Sequence, residues 1–211
     1  MKIGIIGIGN VGLQVLKDIQ LNGKINKFLS IEKILVRNQG KYLKIIESEF
    51  GSKSLLLEKL TDDFNDFINS DIDTVIELIG GSDPAKDYVL SALNSGKNVV
   101  TANKEIVASS IEELTSVAHS NKVKIRFEAA VGAGIPLIEV LIDMLKQNNL
   151  SKITGIINGT SNYILSSMND SSKSFDESLK EAQNLGFAES DPTNDIGGYD
   201  AMYKISILGS I

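Results

Sequence analysis

Along the first half of the chain, short runs of β-branched and aliphatic residues alternate with longer stretches whose apolar positions recur every three or four residues. The first run is Lys2 to Ile6; glycines follow, and then Val11, Val15, Leu16 and Ile19 at helical spacing. That order predicts strand, tight turn and helix. Ile31 to Val36, Thr74 to Leu78, Asn98 to Thr101 and Lys124 to Phe127 read as four more strands, with helical stretches between several of them. Between two of these strands, the segment Asp83 to Ser95 has Pro84 to open a helix and Gly96 to close it. Strands alternating with crossover helices predict an α/β fold with a doubly wound parallel sheet of the Rossmann type, ending near residue 130. Beyond it the pattern changes. Pro136 to Gln147, Phe175 to Leu185 and Asp200 to Leu208 read as helices, Lys152 to Ile157 as a strand and Asn169 to Ser174 as a polar loop. The expected division is therefore a Rossmann-type domain over residues 1–130 and a smaller α+β domain over 131–211.

Composition narrows the class. With 211 residues, 42% of them hydrophobic, and 3 prolines, the chain can bury one full core and part of a second. The net charge of −6 comes from interspersed acids and bases, which argues against a nucleic-acid partner. The absence of cysteine excludes disulfides, thiolate metal sites and thioester chemistry. No stretch approaches the ~20 apolar residues of a membrane span, so the expectation is a soluble, cytoplasmic protein without a membrane partner. His119, the single histidine, sits in a polar helical stretch and is expected to face solvent rather than to catalyse.

Gly7, Gly9 and Gly12 form G-x-G-x-x-G directly after the first strand and at the start of a helix. In that position each glycine has its own physical reason: Gly7 allows the tight turn, Gly9 lets backbone approach a pyrophosphate, and Gly12 lets helix and strand pack closely. Asn10 and Val11 belong to the same turn, and Gly80, beyond the third predicted strand, is placed with them at a dinucleotide cofactor. An acidic residue at the end of the second strand would hold the ribose hydroxyls of NAD, but the strand ends Val36, Arg37, Asn38. A guanidinium there suits a 2′-phosphate, with Lys41 and Lys44 adding positive charge, so the preference expected is NADP, with NAD as the alternative. Lys104 follows the fourth predicted strand, at the carboxyl edge where such sheets place their ligands.

Four segments carry a family resemblance: Thr101 to Val107 (TANKEIV), Glu128 to Pro136 (EAAVGAGIP), Gly155 to Leu165 (GIINGTSNYIL) and Ala182 to Lys204 (AQNLGFAESDPTNDIGGYDAMYK). The last follows A-x-x-x-G, then D-P, then D-[LIVM]-x-G-x-D-x-x-x-K, and the whole resembles homoserine dehydrogenase. The resemblance implies oxidation of L-homoserine to L-aspartate 4-semialdehyde, or the reverse, with NAD(P), and makes the α+β domain over residues 131–211 a partial substrate domain. By resemblance Glu189 and Asp200 bind the substrate, Gly186 approaches the cofactor, and Lys104 contacts the nicotinamide end with a catalytic part. It also implies a monovalent cation, Na⁺ or K⁺, at Glu128, Val131, Ala133 and Ile135, and a homodimer when the substrate domain is complete. Members of the family run on for more than a hundred further residues, whereas this sequence stops at Ile211.

The chemistry of the residues fits that reading. Hydride transfer to an aldehyde leaves charge on oxygen, so a proton donor is needed beside it, and Lys204 is the candidate. Asp200 and Lys204 stand at i and i+4, where both project from one face of a helix opened by Gly197 and Gly198. Glu189, Asp191 and Asp195 precede that helix, where a carboxylate can hold the α-ammonium of an amino-acid substrate. Asn158, Gly159 and Thr160 offer donors to its carboxylate. Two other classes stay open: another two-domain NAD(P) reductase, against which the Asn103 and Glu105 flanks of Lys104 argue, and an inactive nucleotide-binding fragment.

Overall fold

In the computed structural model, which describes residues 1–147 and 149–211, strand β1 (Lys2–Ile6) is the centre of a six-stranded sheet. Its β-branched run is buried at every position after Lys2, because helices cover both faces of the sheet. The remaining strands are β2 (Ser30–Leu35), β3 (Leu60–Thr61), β4 (Thr74–Glu77), β5 (Asn98–Thr101) and β6 (Ile125–Arg126). All pairs are parallel, in the order β3-β2-β1-β4-β5-β6. The direction of strand progression reverses between β1 and β4, and a crevice opens at their carboxyl ends.

The crossovers are α1 (Asn10–Leu21), α2 (Gln39–Phe50), α3 (Phe64–Ile68), α4 (Ala85–Asn94) and α5 (Lys104–Ser120), with a 3₁₀ turn at Leu55–Lys59. Leu16 and Ile19 of α1 and Ile46 of α2 meet Ile3, Ile5, Ile31 and Ile34 in one core; each such side chain contributes roughly 1.5–3 kcal/mol by leaving water. As the sequence suggests, Gly96 ends α4: it takes φ +72°, and the Lys97 amide donates to Ala92 O at 3.0 Å. His119 lies exposed on α5. The sixth strand, β3, has no counterpart among the strands expected from the sequence. Two residues carry no periodicity, and β3 exists only because Ile34 and Leu35 offer it a ladder.

The chain divides into Met1–Ala133 and Gly134–Ile211. The second unit is helical among its described residues: α6 (Ile138–Leu145), α7 (Gly159–Ser171), α8 (Phe175–Asn184), α9 (Thr193–Ile196) and α10 (Tyr199–Gly209). Its core is small, formed by Ile164, Ala182 and Ala188 with Tyr163, Met168 and Leu179 around them. The strand expected over Lys152 to Ile157 is not formed. That segment has no regular structure and no ladder partner among the described residues, and an apolar run becomes a strand only when another strand satisfies its amides and carbonyls. The polar loop expected from Asn169 is also corrected, since α7 continues to Ser171 before Ser172 turns left-handed. Helix α8 starts with a capping box, Ser174 and Glu177 satisfying each other's backbone amides.

Candidate active site

In the first unit, the loop after β1 forms the glycine turn in the expected order, each glycine constrained differently. Gly7 has φ +86°, and a Cβ there would lie 2.4 Å from Ile79 Cγ2. At Gly12, buried in the first turn of α1, a Cβ would come within 2.2 Å of the Gly7 carbonyl oxygen. A Cβ on Gly9 would meet nothing within 4 Å. Gly7 and Gly12 are thus glycines because of the protein's own packing, whereas Gly9 borders open space that a ligand can take.

That space is a cleft of about 550 Å³. Gly7, Gly9, Arg37 and Gly80 line it, as do Lys41, Tyr42, Asp62 and Tyr88, of which the sequence pointed only to Lys41. Asn10, Val11 and Lys104 do not line it: Asn10 and Val11 lie exposed in the first turn of α1, and Lys104 is the first residue of α5, half-buried. The cleft can hold an extended polyanion whose phosphates meet the α1 amides and whose far end meets a cationic rim.

A group that sequence reasoning missed lies beside it. Glu77 ends β4 fully buried, and burial pushes its carboxyl above the ordinary range, although the surrounding donors pull the other way. Its Oε1 accepts from the Ile79 amide at 2.8 Å, and its Oε2 accepts from the Thr101 hydroxyl. The sequence clue was an acid inside an apolar strand, Val75 to Leu78.

In the second unit the candidates gather around Asn158, the N-cap of α7. Its Oδ1 accepts from the Ser161 amide at 2.7 Å, while its Nδ2 donates to Asp195 Oδ1 at 2.8 Å and to Asp200 Oδ2 at 2.9 Å. Lys204 Nζ pairs with the same Asp200 oxygen at 2.8 Å and donates to Ile157 O at 2.8 Å. Both members of that pair are largely buried, their side chains 17% and 6% exposed, so this is not a solvated helix-surface contact. Gly198, at φ +77°, starts α10 in the left-handed region that a side chain would resist, and so sets where Asp200 and Lys204 begin. A cavity of about 670 Å³ borders the cluster at Asn158, Asp195 and Gly198 and becomes apolar toward Leu165 and Ile205.

Several expected substrate ligands are used internally. The buried Thr160 hydroxyl shares its one hydrogen between Phe187 O at 2.6 Å and Asp195 Oδ2 at 3.0 Å, so its side chain serves the α7–α9 packing, while Asp195 also borders the cavity. Gly159 stays exposed as the first residue of α7, and Glu189 is exposed. The Asp191 carboxyl, lowered by the Thr193 hydroxyl and amide, caps the start of α9. Gly186 takes φ +78° and closes α8, with the Phe187 amide donating to Ala182 O at 2.8 Å. Of the four residues assigned to a cation, Glu128 has its carbonyl engaged by the Val131 and Gly132 amides, each at 3.2 Å. Val131 is buried; Ala133 and Ile135 fall in different units. Among the described residues no group of three or more His, Cys, Asp or Glu is placed to hold a metal.

Two family models match the chain: "Homoserine dehydrogenase, NAD binding domain" over residues 7–128 and "Homoserine dehydrogenase" over 136–211. The homoserine dehydrogenase of Bacillus subtilis is 40% identical over 217 residues, covering 100% of this chain and 48% of that protein. The Synechocystis sp. homoserine dehydrogenase is likewise 40% identical, with 100% and 48% coverage. Among solved structures, a Thiobacillus denitrificans homoserine dehydrogenase superposes with a TM-score of 0.85 at 41% identity, over 100% of this chain and 48% of that one. A hyperthermophilic archaeal homoserine dehydrogenase in complex with NADPH gives 0.81 at 30% identity, over 98% and 68%. The chain spans about half the length of the curated relatives it matches.

Proposed function

Because the chain belongs to the homoserine dehydrogenase family, we propose that the protein interconverts L-homoserine and L-aspartate 4-semialdehyde with a nicotinamide dinucleotide, in the route to threonine and methionine. The observation that carries this reading is the Asn158–Asp200–Lys204 cluster, a largely buried ammonium held by one carboxylate and linked through Asn158 to the wall of a cavity.

The first unit fits the cofactor: Gly9 leaves open the space a pyrophosphate needs, and Arg37 and Lys41 line the same cleft, favouring NADP, with NAD as the alternative. The NADPH bound by the archaeal relative is consistent with that preference. Gly80 walls the cleft, and Lys104, which opens α5 at the carboxyl edge of β5, is the residue assigned in this reading to the nicotinamide end. When bound, the nicotinamide supplies or accepts the hydride.

Lys204 gives a proton to the aldehyde oxygen as its carbon is reduced and takes it back in the reverse direction. Asp200 holds that ammonium in position, and Asn158 keeps Asp200 in place. Glu189, exposed, is the carboxylate available to an α-ammonium, and the amides at Gly159 and Thr160 are those available to a carboxylate. Gly186 approaches the cofactor in this reading while also closing α8. A homodimer and a cytoplasmic location belong to the same proposal. So does a monovalent cation at the Glu128–Ile135 stretch. The Glu128 carbonyl already accepts from two amides, so it does not offer a ready ligand to that ion.

The test is turnover of homoserine with NADP by the protein and by Lys204→Met. Reduction of NADP that needs homoserine and is lost in the variant supports the proposal; equal rates with and without homoserine overturn it.

A further inference from the structure

The Glu77 carboxyl is one member of a closed ring of hydrogen bonds. Parallel pairing of β4 with β5 places Glu77 opposite Thr101, at the carboxyl ends of both strands. Glu77 accepts from the Ile79 amide and from the Thr101 hydroxyl. The Thr101 oxygen in turn accepts from the Asn103 amide at 2.9 Å, and Asn103 Nδ2 donates to Ile79 O at 3.0 Å and to Gly81 O at 2.7 Å. Ile79 therefore stands at both ends of the ring. Asn103 also ties the ring to the next helix: its Oδ1 accepts from the Glu105 and Ile106 amides and so starts α5, whose first residue is Lys104.

Two loops are joined this way. One, through Ile79 and Gly80, walls the dinucleotide cleft; the other presents Lys104. Burying a carboxyl is costly, and a leucine of similar size would fill the space without that penalty. What leucine cannot do is hydrogen-bond to groups arriving from two different loops, which requires two polar atoms at carboxylate or carboxamide spacing. Resting on the cofactor reading above, we propose that Glu77 is a positioning residue: it locks the cleft wall Ile79–Gly81 to the Thr101–Lys104 turn, so that cofactor binding and the placement of Lys104 are set together. The geometry of the two side-chain polar atoms carries this role, and net charge does not.

The test uses amide hydrogen exchange of residues 78–82 and 102–106 in the free protein, with NADPH affinity from nicotinamide fluorescence as a second readout. In Glu77→Leu both segments should exchange faster together and NADPH should bind about tenfold or more weakly, the scale set by stranding buried donors. Glu77→Gln should stay within about twofold of the parent in both readouts, because its carbonyl can face Ile79 and its amide can donate to Thr101 once that hydroxyl rotates. Thr101→Val, which removes the two links through that hydroxyl at nearly constant volume, should loosen both segments and decides the matter if Glu77→Leu does not fold. Loosening of only one segment in Thr101→Val, or a Gln variant as loose as the Leu variant, overturns the proposal. A parent protein that does not bind NADPH would remove the cofactor reading, and the exchange data would still decide the ring.

Discussion

The two units build their candidate sites by different means. In the first, the turns after β1, β2 and β4 supply the cleft's glycines and Arg37, and the glycine turn is a matter of local backbone: Gly7 and Gly12 meet each other five residues apart. In the second, the contacts that bring the Asp200–Lys204 pair to its neighbours are long-range. Asn158 reaches Asp195 and Asp200, 37 and 42 positions on, and Lys204 reaches back 47 positions to Ile157. A locally built site is written in spacing; a long-range one depends on which helices pack.

The largest expected effect tests the long-range site. Lys204→Met should lower kcat by about 10²–10⁴-fold, as loss of a general acid does, while substrate affinity changes far less. Glu189→Ala should show the opposite bias, raising KM with kcat nearly intact, because the charge of an α-ammonium does not change during reaction. Steady-state kinetics on both variants would separate the roles, and a shared KM effect would erase the distinction between them.

Arg37→Ala comes next and tests the locally built site. Losing a charge-assisted phosphate contact, worth about 1.5–3 kcal/mol, should weaken NADP by roughly 10–100-fold and leave NAD nearly unchanged. Equal losses for both dinucleotides would show that Arg37 touches the shared part of the cofactor.

A sharper comparison lies within the glycine turn. Gly12→Ala forces a Cβ against backbone oxygen 2.2 Å away and should cost about 1–3 kcal/mol of stability, seen as a lower Tm without any ligand. Gly9→Ala meets nothing in the free protein, so its Tm should match the parent while NADPH binds on the order of tenfold more weakly, for a Cβ at a backbone-to-phosphate approach. If Gly9→Ala destabilised the free protein as Gly12→Ala does, the two glycines would not have separate roles.

The smallest effect concerns pH. Burial raises the Glu77 carboxyl above its ordinary value, so the folded state holds that proton more tightly than the unfolded chain does. Its contribution to stability is therefore full below the unfolded value of about 4.3 and is lost as pH rises through the higher folded value. The difference in Tm between Glu77→Gln, which cannot titrate, and the parent should shift in favour of the variant as pH climbs through that window. A difference independent of pH would mean that the surrounding donors cancel the effect of burial.

How far the fold is legible in the sequence follows the same division. β1, β4 and β5 and the helices α4, α8 and α10 are readable within a residue or two, because apolar periodicity and the terminating glycines are local properties. β3 is not, because its two residues are a strand only by virtue of their neighbour. Lys152 to Ile157 misleads because an apolar β-branched run reports a tendency to pair and says nothing of whether a partner is present.

The same reasoning separates the chemistry. The order of residues by itself determined the glycine turn, the cationic end of β2 and the Asp200–Lys204 spacing on one helical face, since each is an interval shorter than two helical turns. Only the tertiary structure decided that Asn158 would spend both amide hydrogens on two aspartates, that Thr160 would turn inward to Phe187 and Asp195, and that Glu77 would close a ring through Thr101 and Asn103. A buried polar group must find its partner within the fold, and the identity of that partner depends on which elements the packing of the core brings within about 3 Å.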